Sequence, residues 1–227
     1  MKTFRNKYFN LLLAVSIITT PSFTGCKNWK RTAAGGAIGA GAGGAIGGAI
    51  GSKSDNTIAG AIIGAAVGGA AGAAIGLYMD KQAHDIQKDV KGAKVERIGE
   101  GIRITFDSGI LFDVGSYTLK EEAKSNIKEL SKVLQKYDDT NVLIEGHTDN
   151  TGADAMNMKL SEQRADAVAD YAKLLGIAGI RMAIKGYGEV QPLKENDSEA
   201  GKEQNRRVEI AIMANKKLKR AAKRGDI

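Results

Sequence analysis

The stretch IEGHTDNTGADAMNMKLSEQRADAVADY, residues 144–171, decides the fold because it combines a strand end, a polar loop and an amphipathic helix. It overlaps NVLIEGH at residues 141–147, which predicts a short apolar strand. Beyond the loop, the apolar residues that recur at helical spacing are Leu160, Ala165, Val168, Tyr171 and Leu175. The stretch therefore predicts a strand, a loop and a helix over residues 157–176.

Comparable patterns extend in both directions from this stretch. Upstream, residues 102–106 predict one strand, ILFDVGS at 110–116 predicts another, and residues 117–137 predict an amphipathic helix. Downstream, RMAIKGYG at 181–188 and RRVEIAIM at 206–213 predict two more strands. The order β-β-α-β-α-β-β predicts an α+β sandwich, in which a mixed sheet carries helices on one face.

Three polar residues of the opening stretch are placed to meet at one cleft. Asp149 follows the predicted strand, and Arg164 lies on the next helix. Asn157 and Arg164 are seven residues apart, which is two helical turns, so they share one face. A carboxylate and a guanidinium across a cleft form a receptor for a zwitterion. The alternative is an ordinary structural ion pair.

These residues resemble the OmpA-like peptidoglycan-binding domain. Further support comes from FDVGSYTL at residues 112–119, GYGEVQP at 186–192 and NRRVEI at 205–210. The resemblance covers residues 96–214. It implies an OmpA-like β-α-β-α-β sandwich that binds peptidoglycan, with diaminopimelate of the stem peptide as the recognised group.

The resemblance also implies the residues that bind this ligand. Asp149 would bind the ammonium group of diaminopimelate and Arg164 its carboxylate, with Asn157 assisting. The backbone of residues 113–116, including Asp113 and Gly115, would contribute. Arg206 and Arg207 belong to the NRR motif and are expected to brace the site or the sheet.

Other chemistry finds little support in the sequence. His147 and Asp149 form an HxD pair, which supplies too few ligands for a metal site. Ser161 is expected to cap or shape the helix, and His84, the other histidine, lies outside the predicted domain. We therefore predict no enzyme activity, cofactor, metal or nucleic-acid partner.

Two glycine-rich segments, residues 33–51 and 57–79, precede the domain. The glycines that recur every four residues are Gly35, Gly39, Gly43, Gly47 and Gly51, then Gly60, Gly64, Gly68, Gly72 and Gly76. A four-residue repeat is helical, yet glycine disfavours an isolated helix, so close contact between helices must compensate. Such contact occurs between membrane helices with small residues at their interface.

We therefore predict a helical hairpin over residues 33–79, embedded in lipid or assembled into a homo-oligomer. Its glycine faces would meet, and the large side chains expected mostly outside are Ile38, Ile46, Ile50, Ile62 and Val67. The pattern resembles glycine zippers of bacterial envelope proteins. The alternative is a flexible Gly/Ala spacer.

The amino terminus has the pattern of an export signal. Residues 1–25 combine a basic start, the apolar run LLLAVSII and small residues before Cys26, the only cysteine. The preceding residues match a bacterial lipobox loosely, which predicts a lipidated amino terminus over residues 26–32. Lys27 is consistent with sorting to the outer membrane. An ordinary signal peptide with an incidental cysteine is the alternative.

The remaining segments are rich in charge. Residues 80–95 mix charges of both signs and predict a solvated linker. Residues 215–227 contain six basic residues and one acid, which predicts a mobile basic tail that contacts solvent, phosphate or cell-wall carboxylates.

The sequence thus favours an outer-membrane lipoprotein that tethers the membrane to peptidoglycan from the periplasm. A second hypothesis is a membrane-inserting or pore-forming oligomer of glycine-zipper helices, moored to the cell wall. A cell-wall hydrolase is disfavoured because the sequence shows no credible nucleophile, metal set or carboxylate pair.

Overall fold

The computed structural model describes residues 57–227. The predicted signal peptide, the lipidation site Cys26 and the first glycine segment lie outside the described residues. So does residue range 52–56, the predicted turn of the hairpin.

The described residues form five strands and seven α-helices. The strands are β1 Ala93–Ile98, β2 Gly101–Asp107, β3 Thr140–His147, β4 Met182–Gly186 and β5 Arg207–Ala214. The helices are α1 Thr57–Ala65, α2 Gly69–Asp89, α3 Ser108–Leu111, α4 Glu121–Lys136, α5 Asp154–Leu174, α6 Glu199–Asn205 and α7 Lys216–Arg224. A short 3-10 turn, Gly179–Arg181, precedes β4.

The strands form one mixed sheet in the order β1-β2-β5-β3-β4. β3 and β4 are parallel, whereas the other neighbouring pairs are antiparallel. In the β3–β5 pair, His147 lies opposite Arg207, so the end of β3 meets the start of β5. The predicted α+β sandwich with a mixed sheet is confirmed.

The two faces of the sheet are covered by different helices. Residues of α2, α4, α5 and α7 pack on one face, against strand residues such as Ile104, Ile144 and Ile210. On the other face, Ile58 and Ile62 of α1 join a smaller apolar cluster with Leu143, Ala211 and Met213. Since residues alternate between faces along a strand, β3 and β5 contribute to both layers. The structure therefore adds α1 on a face that the prediction left uncovered.

The second glycine segment does not form one continuous helix. It breaks between α1 and α2, where Gly68 and Gly69 have φ values of 72° and 62°, a region that glycine adopts readily. The carboxylate of Glu100 accepts hydrogen bonds from the backbone N–H groups of Val67 (2.7 Å) and Gly68 (2.6 Å) at this break.

The outward position predicted for Ile62 is wrong, because only 1% of this residue is exposed. A Cβ atom added at Gly101 would lie 2.6 Å from Cγ2 of Ile62, so the missing side chain of Gly101 makes room for α1. Among the helices in residues 57–227, none has the length and apolar character needed to cross a membrane.

The solvated linker predicted over residues 80–95 is also wrong. Helix α2 continues to Asp89 and buries Met79, Ala83 and Ile86 in the main core. The charges had obscured these three apolar positions, which lie three to four residues apart on one helical face. Residues 93–95 belong to β1, which pairs with β2.

Two further local predictions differ from the structure. Residues 110–116 do not form a strand, because α3 ends at Leu111 and a turn follows it. The carboxy-terminal residues are not a mobile tail, because α7 buries Leu218 and Ala222 against the core. Asn215 caps α7 by accepting hydrogen bonds from the N–H groups of Lys217 and Leu218.

Candidate ligand-binding site

A cavity of about 570 Å³ opens where β3 ends and β5 begins. All six predicted site residues line it: Asp113, Gly115, Asn157, Arg164, Asp149 and Arg206. They come from the loop after α3, the loop after β3, helix α5 and the residue that precedes β5. The fold thus gathers one set of polar groups from four separate parts of the chain.

Asp149 lines the cavity but is almost fully buried, at 6% exposure. Its Oδ1 accepts a hydrogen bond from the N–H of Thr151 at 2.8 Å, and its Oδ2 accepts one from Nη1 of Arg206 at 2.6 Å. Burial alone would raise the pKa of Asp149, but the hydrogen bonds from Arg206 and Thr151 outweigh it and lower the pKa below its ordinary value. Asp149 is therefore an anion near neutral pH.

The guanidinium of Arg164 is held by contacts that leave its terminal nitrogens available. Its Nε donates to the carbonyl oxygen of Ser116 at 3.0 Å, and its Cζ lies 5.3 Å from the ring centroid of Phe112. Burial, with a smaller contribution from the nearby Arg206, lowers the pKa of Arg164. A guanidinium remains charged at neutral pH even so, and it presents a bidentate donor pair to the cavity.

Arg206 is the ion-pair partner of Asp149, so the alternative of a structural ion pair between Asp149 and Arg164 is wrong. Its second terminal nitrogen donates to Oε1 of Glu199 at 2.6 Å. Burial would lower the pKa of Arg206, but the bonds to the two carboxylates raise it. The predicted bracing role of Arg206 fits this geometry, since it connects the loop after β3 with α6.

The loop of residues 113–116 forms one wall of the cavity. The N–H of Ser116 donates to the carbonyl oxygen of Asp113 at 3.0 Å, and Gly115 adopts a φ of 70°. An isolated bridge between Phe112 and Leu119 closes the base of the loop. This tight turn brings the carbonyl oxygen of Ser116 to Arg164 and fixes the position of its guanidinium.

Asn157 shapes the loop after β3 instead of reaching freely into the cavity. Its Nδ2 donates to Oε2 of Glu189 at 2.6 Å and to the carbonyl oxygen of Asp149 at 3.3 Å. It is 6% exposed. The predicted helper role therefore corresponds, in the described contacts, to positioning the loop that carries Asp149.

Helix α5 approaches the sheet closely next to the cavity. A Cβ atom at Gly146 would lie 2.0 Å from the carbonyl oxygen of Ser161, so only glycine fits there. The hydroxyl of Ser161 donates to the carbonyl oxygen of Met158 and accepts from the N–H of Gly188. Ser161 does not cap the start of α5, because the helix begins at Asp154, and its hydroxyl instead connects the helix to the backbone of Gly188.

Three acidic residues of the cavity escaped the sequence interpretation: Asp107, Glu199 and Glu203. One signal was available for Glu199, which lies seven residues before Arg206 and follows Ser198, a residue type that favours helix starts. The same seven-residue spacing had linked Asn157 to Arg164. Asp107 and Glu203 had no comparable signal.

A second set of polar side chains is buried on the face of the sheet that α1 covers. We name it the buried cluster and define it as Glu145, His147, Arg207 and Glu209, all at most 2% exposed. Nε of Arg207 donates to Oε1 of Glu209 at 2.9 Å, and Nε2 of His147 lies 3.8 Å from Oε2 of Glu145. The role of Arg207 in bracing the sheet agrees with this position.

Glu145, His147 and Glu209 each offer one metal-ligand atom within 4.8 Å of the others. Arg207 already supplies a positive charge to this group. Burial and the carboxylate of Glu209 raise the pKa of Glu145 to about 8, and burial lowers the pKa of His147 well below its ordinary value. The Arg207–Glu209 pair is therefore the ionic part of the buried cluster near neutral pH.

Both the glycine-rich amino-terminal part and the folded carboxy-terminal part of the chain match known protein families. Residues 111–206 match the OmpA family, and residues 1–80 match the YMGG-like Gly-zipper family. The chain is 39% identical over 202 residues to the probable lipoprotein YiaD of Escherichia coli, which covers 88% of this chain and 92% of that protein.

Two further relatives match a part of the chain. The peptidoglycan-binding protein ArfA of Mycobacterium bovis is 42% identical over 86 residues, or 38% of this chain and 26% of that protein. The structure of the cell wall anchor of the T6SS from Pseudomonas aeruginosa superposes with a TM-score of 0.52 at 30% identity. It covers 60% of this chain and 97% of that one.

Proposed function

Because the chain belongs to the OmpA family and resembles its YiaD lipoproteins over most of its length, we propose that it binds peptidoglycan without enzymatic turnover. In this proposal, lipid on Cys26 holds the chain in the outer membrane while the folded domain binds the cell wall from the periplasm. Two relatives support the two halves of the proposal, since YiaD is a probable lipoprotein and ArfA is a peptidoglycan-binding protein.

The proposal rests on the fixed position of the Arg164 guanidinium and on its unbonded terminal nitrogens. Its Nε bond to Ser116 and its position over Phe112 fix the guanidinium, while the structure shows no acceptor for its terminal nitrogens among residues 57–227. A fixed guanidinium with free terminal nitrogens favours a carboxylate ligand in bidentate geometry. Diaminopimelate in a stem peptide provides such a carboxylate.

Asp149 provides the complementary charge for the ammonium of the same ligand. Its two existing hydrogen bonds leave further lone pairs on both oxygens, because an ionised carboxylate can accept about four bonds. Glu199 and Glu203 add negative charge to the cavity wall. The cavity therefore favours a zwitterion over a ligand with carboxylates alone.

A single weak site is sufficient for a tether. Charge-assisted hydrogen bonds contribute roughly 1.5–3 kcal/mol each, which gives micromolar to millimolar affinity for a ligand of this size. A lipid-anchored chain lies next to a polymer with many equivalent stem peptides, and the high local concentration compensates for weak binding.

The test is co-sedimentation of the full chain with purified sacculi that contain either diaminopimelate or lysine in the stem peptide. We expect wild type to prefer the diaminopimelate sacculi, and Arg164→Ala to bind both kinds equally and weakly, because lysine lacks the carboxylate. Asp149→Asn is expected to weaken binding to both kinds, since both supply an ammonium. Residues 57–89 must be retained, because α1 and α2 belong to the folded unit.

Thermal melting of each variant separates lost binding from lost folding. Lys128→Ala is a matched control, because Lys128 is an exposed cation on α4 that does not line the cavity. Equal preference for the two kinds of sacculi in wild type would contradict diaminopimelate recognition. Binding that survives both cavity substitutions would contradict the site.

A further inference from the structure

The carboxy-terminal helix α7 presents one buried apolar side and one fully basic side. Leu218 and Ala222 are buried in the main core. At 100° per residue, the opposite side is centred on Arg220. The residues around it are Lys216, Lys217, Arg220, Lys223 and Arg224, all exposed.

Several of these cations are not neutralised by neighbouring acids. Lys217 forms an ion pair with Asp139 at 2.9 Å, and Arg224 forms one with Asp226 at 2.7 Å. Lys216, Arg220 and Lys223 have no carboxylate partner among residues 57–227, and their spacing places them on one side of the helix. We name these three residues the basic face.

The basic face and the ligand cavity lie at opposite ends of the sheet. The cavity contains Arg206, which precedes β5, whereas α7 starts two residues after the last residue of β5, Ala214. Eight strand residues rise roughly 25 Å between these ends. The N–H of Asn215 bonds to the carbonyl oxygen of Asp139, which fixes the start of α7 beside the start of β3.

We propose that the basic face binds the anionic phospholipid surface of the membrane in which the chain is anchored. The inference rests on the proposed tether function, and charge complementarity supports it, because clustered Lys and Arg bind anionic headgroups. The position of the helix favours a membrane over the cell wall, since a cavity engaged with peptidoglycan leaves α7 at the far end of the domain. The helix itself lies on the surface and keeps its apolar side in the protein core.

The test is flotation of the predicted mature chain with Cys26→Ser, so that lipid does not determine binding. Vesicles of phosphatidylcholine alone give the contribution of the glycine-rich region, and vesicles with added phosphatidylglycerol give the anion-dependent increase. We expect Lys216→Gln, Arg220→Gln and Lys223→Gln together to reduce that increase roughly tenfold or more, and added salt to reduce it in wild type.

The matched control removes the same charge from other exposed positions, with Lys88→Gln, Lys128→Gln and Lys159→Gln. It should retain most of the increase. An equal loss in control and basic-face variants, or no increase in wild type, would overturn the proposal.

Sacculus sedimentation of the basic-face variant separates this inference from the proposed function. Unchanged sedimentation agrees with a membrane-facing α7. A loss of sedimentation comparable with the loss of vesicle binding would identify the cell wall as the partner of α7 and overturn the membrane assignment. The cavity variants Arg164→Ala and Asp149→Asn, by contrast, should lose sacculus binding and retain the anion-dependent flotation.

Discussion

Arg206 and Arg207 are neighbours in the chain, yet they serve the two faces of the sheet in different ways. Arg206 pairs with Asp149 at 2.6 Å in the open cavity, and its side chain remains 33% exposed. Arg207 pairs with Glu209 at 2.9 Å in the buried cluster, and both side chains are at most 2% exposed. An ion pair between a guanidinium and a carboxylate therefore occurs once in a solvent-accessible cavity and once in the protein interior.

The difference shows that two adjacent residues at the start of β5 can serve different purposes, one in ligand binding and the other in stability. The cavity pair positions charges where a ligand can reach them. In the buried cluster, Arg207 and Glu209 neutralise each other's charge, because water cannot reach either side chain. Loss of one partner should therefore affect mainly folding in the buried cluster and mainly binding in the cavity.

The largest expected effect is that of Arg207→Met on stability. The substitution leaves Glu209 buried without its cation, and breaking a buried pair in this way destabilises proteins by about 3–5 kcal/mol. Urea denaturation should show a loss of this size. Molecules that remain folded should bind sacculi as wild type does, because Arg207 does not line the cavity.

The double variant Arg207→Met, Glu209→Leu is the control for this comparison. Replacing both ionic partners by apolar side chains is often nearly neutral, so the double variant should recover most of the lost stability. Arg207→Met with stability within about 1 kcal/mol of wild type would show that Glu209 finds another partner or a proton. The contrast between the two faces would then fail.

An intermediate effect is expected from the pH dependence of Glu145. Its pKa is raised to about 8 in the folded protein, whereas an unfolded glutamate titrates near its ordinary value. Between these two values the folded chain holds a proton that the unfolded chain has released. Stability therefore decreases as pH rises through this window.

Glu145→Gln keeps a neutral side chain at every pH and should remove this dependence. We expect it to match wild type near pH 5 and to be more stable by roughly 1–3 kcal/mol near pH 8. Thermal melting across this range measures the difference. Because His147 has a lowered pKa, it opposes folding only as pH falls below about 6.5, in both proteins alike. Parallel pH profiles for the two proteins would contradict a protonated Glu145.

The sequence predicted the sheet and the cavity well because both depend on local patterns. Alternation in β2, the apolar strand runs and the amphipathic stripes of α4 and α5 were sufficient for four of the five strands, whereas β1 was missed and residues 110–116 were wrongly predicted as a strand. The residues of the cavity were identified through a family resemblance and a helical spacing. Which cation would pair with Asp149 depended on the approach of β5 to β3, a long-range contact that no local spacing encodes.

The glycine segment shows why the rest was missed. An apolar helix face such as that of Ile58 and Ile62 is compatible with lipid, with another helix or with a sheet, and its pattern is the same in each case. Two distant features determine the outcome. Gly101 leaves space for Ile62, and Glu100 accepts the N–H groups of Val67 and Gly68.

The smallest stability effect belongs to Arg206→Gln, and it completes the comparison. Asp149 is buried, but Arg206 is 33% exposed and water can reach the position it leaves, so we expect urea denaturation to show a loss of only about 1 kcal/mol. Asp149 keeps its bond from Thr151 but loses the guanidinium that holds its second oxygen and connects it to Glu199. A less firmly held carboxylate binds an ammonium less well, and we expect sacculus binding to fall roughly threefold to tenfold. If Arg206→Gln instead destabilised the chain as much as Arg207→Met, the cavity pair would be a structural element of the fold, and recognition would depend on Arg164 alone.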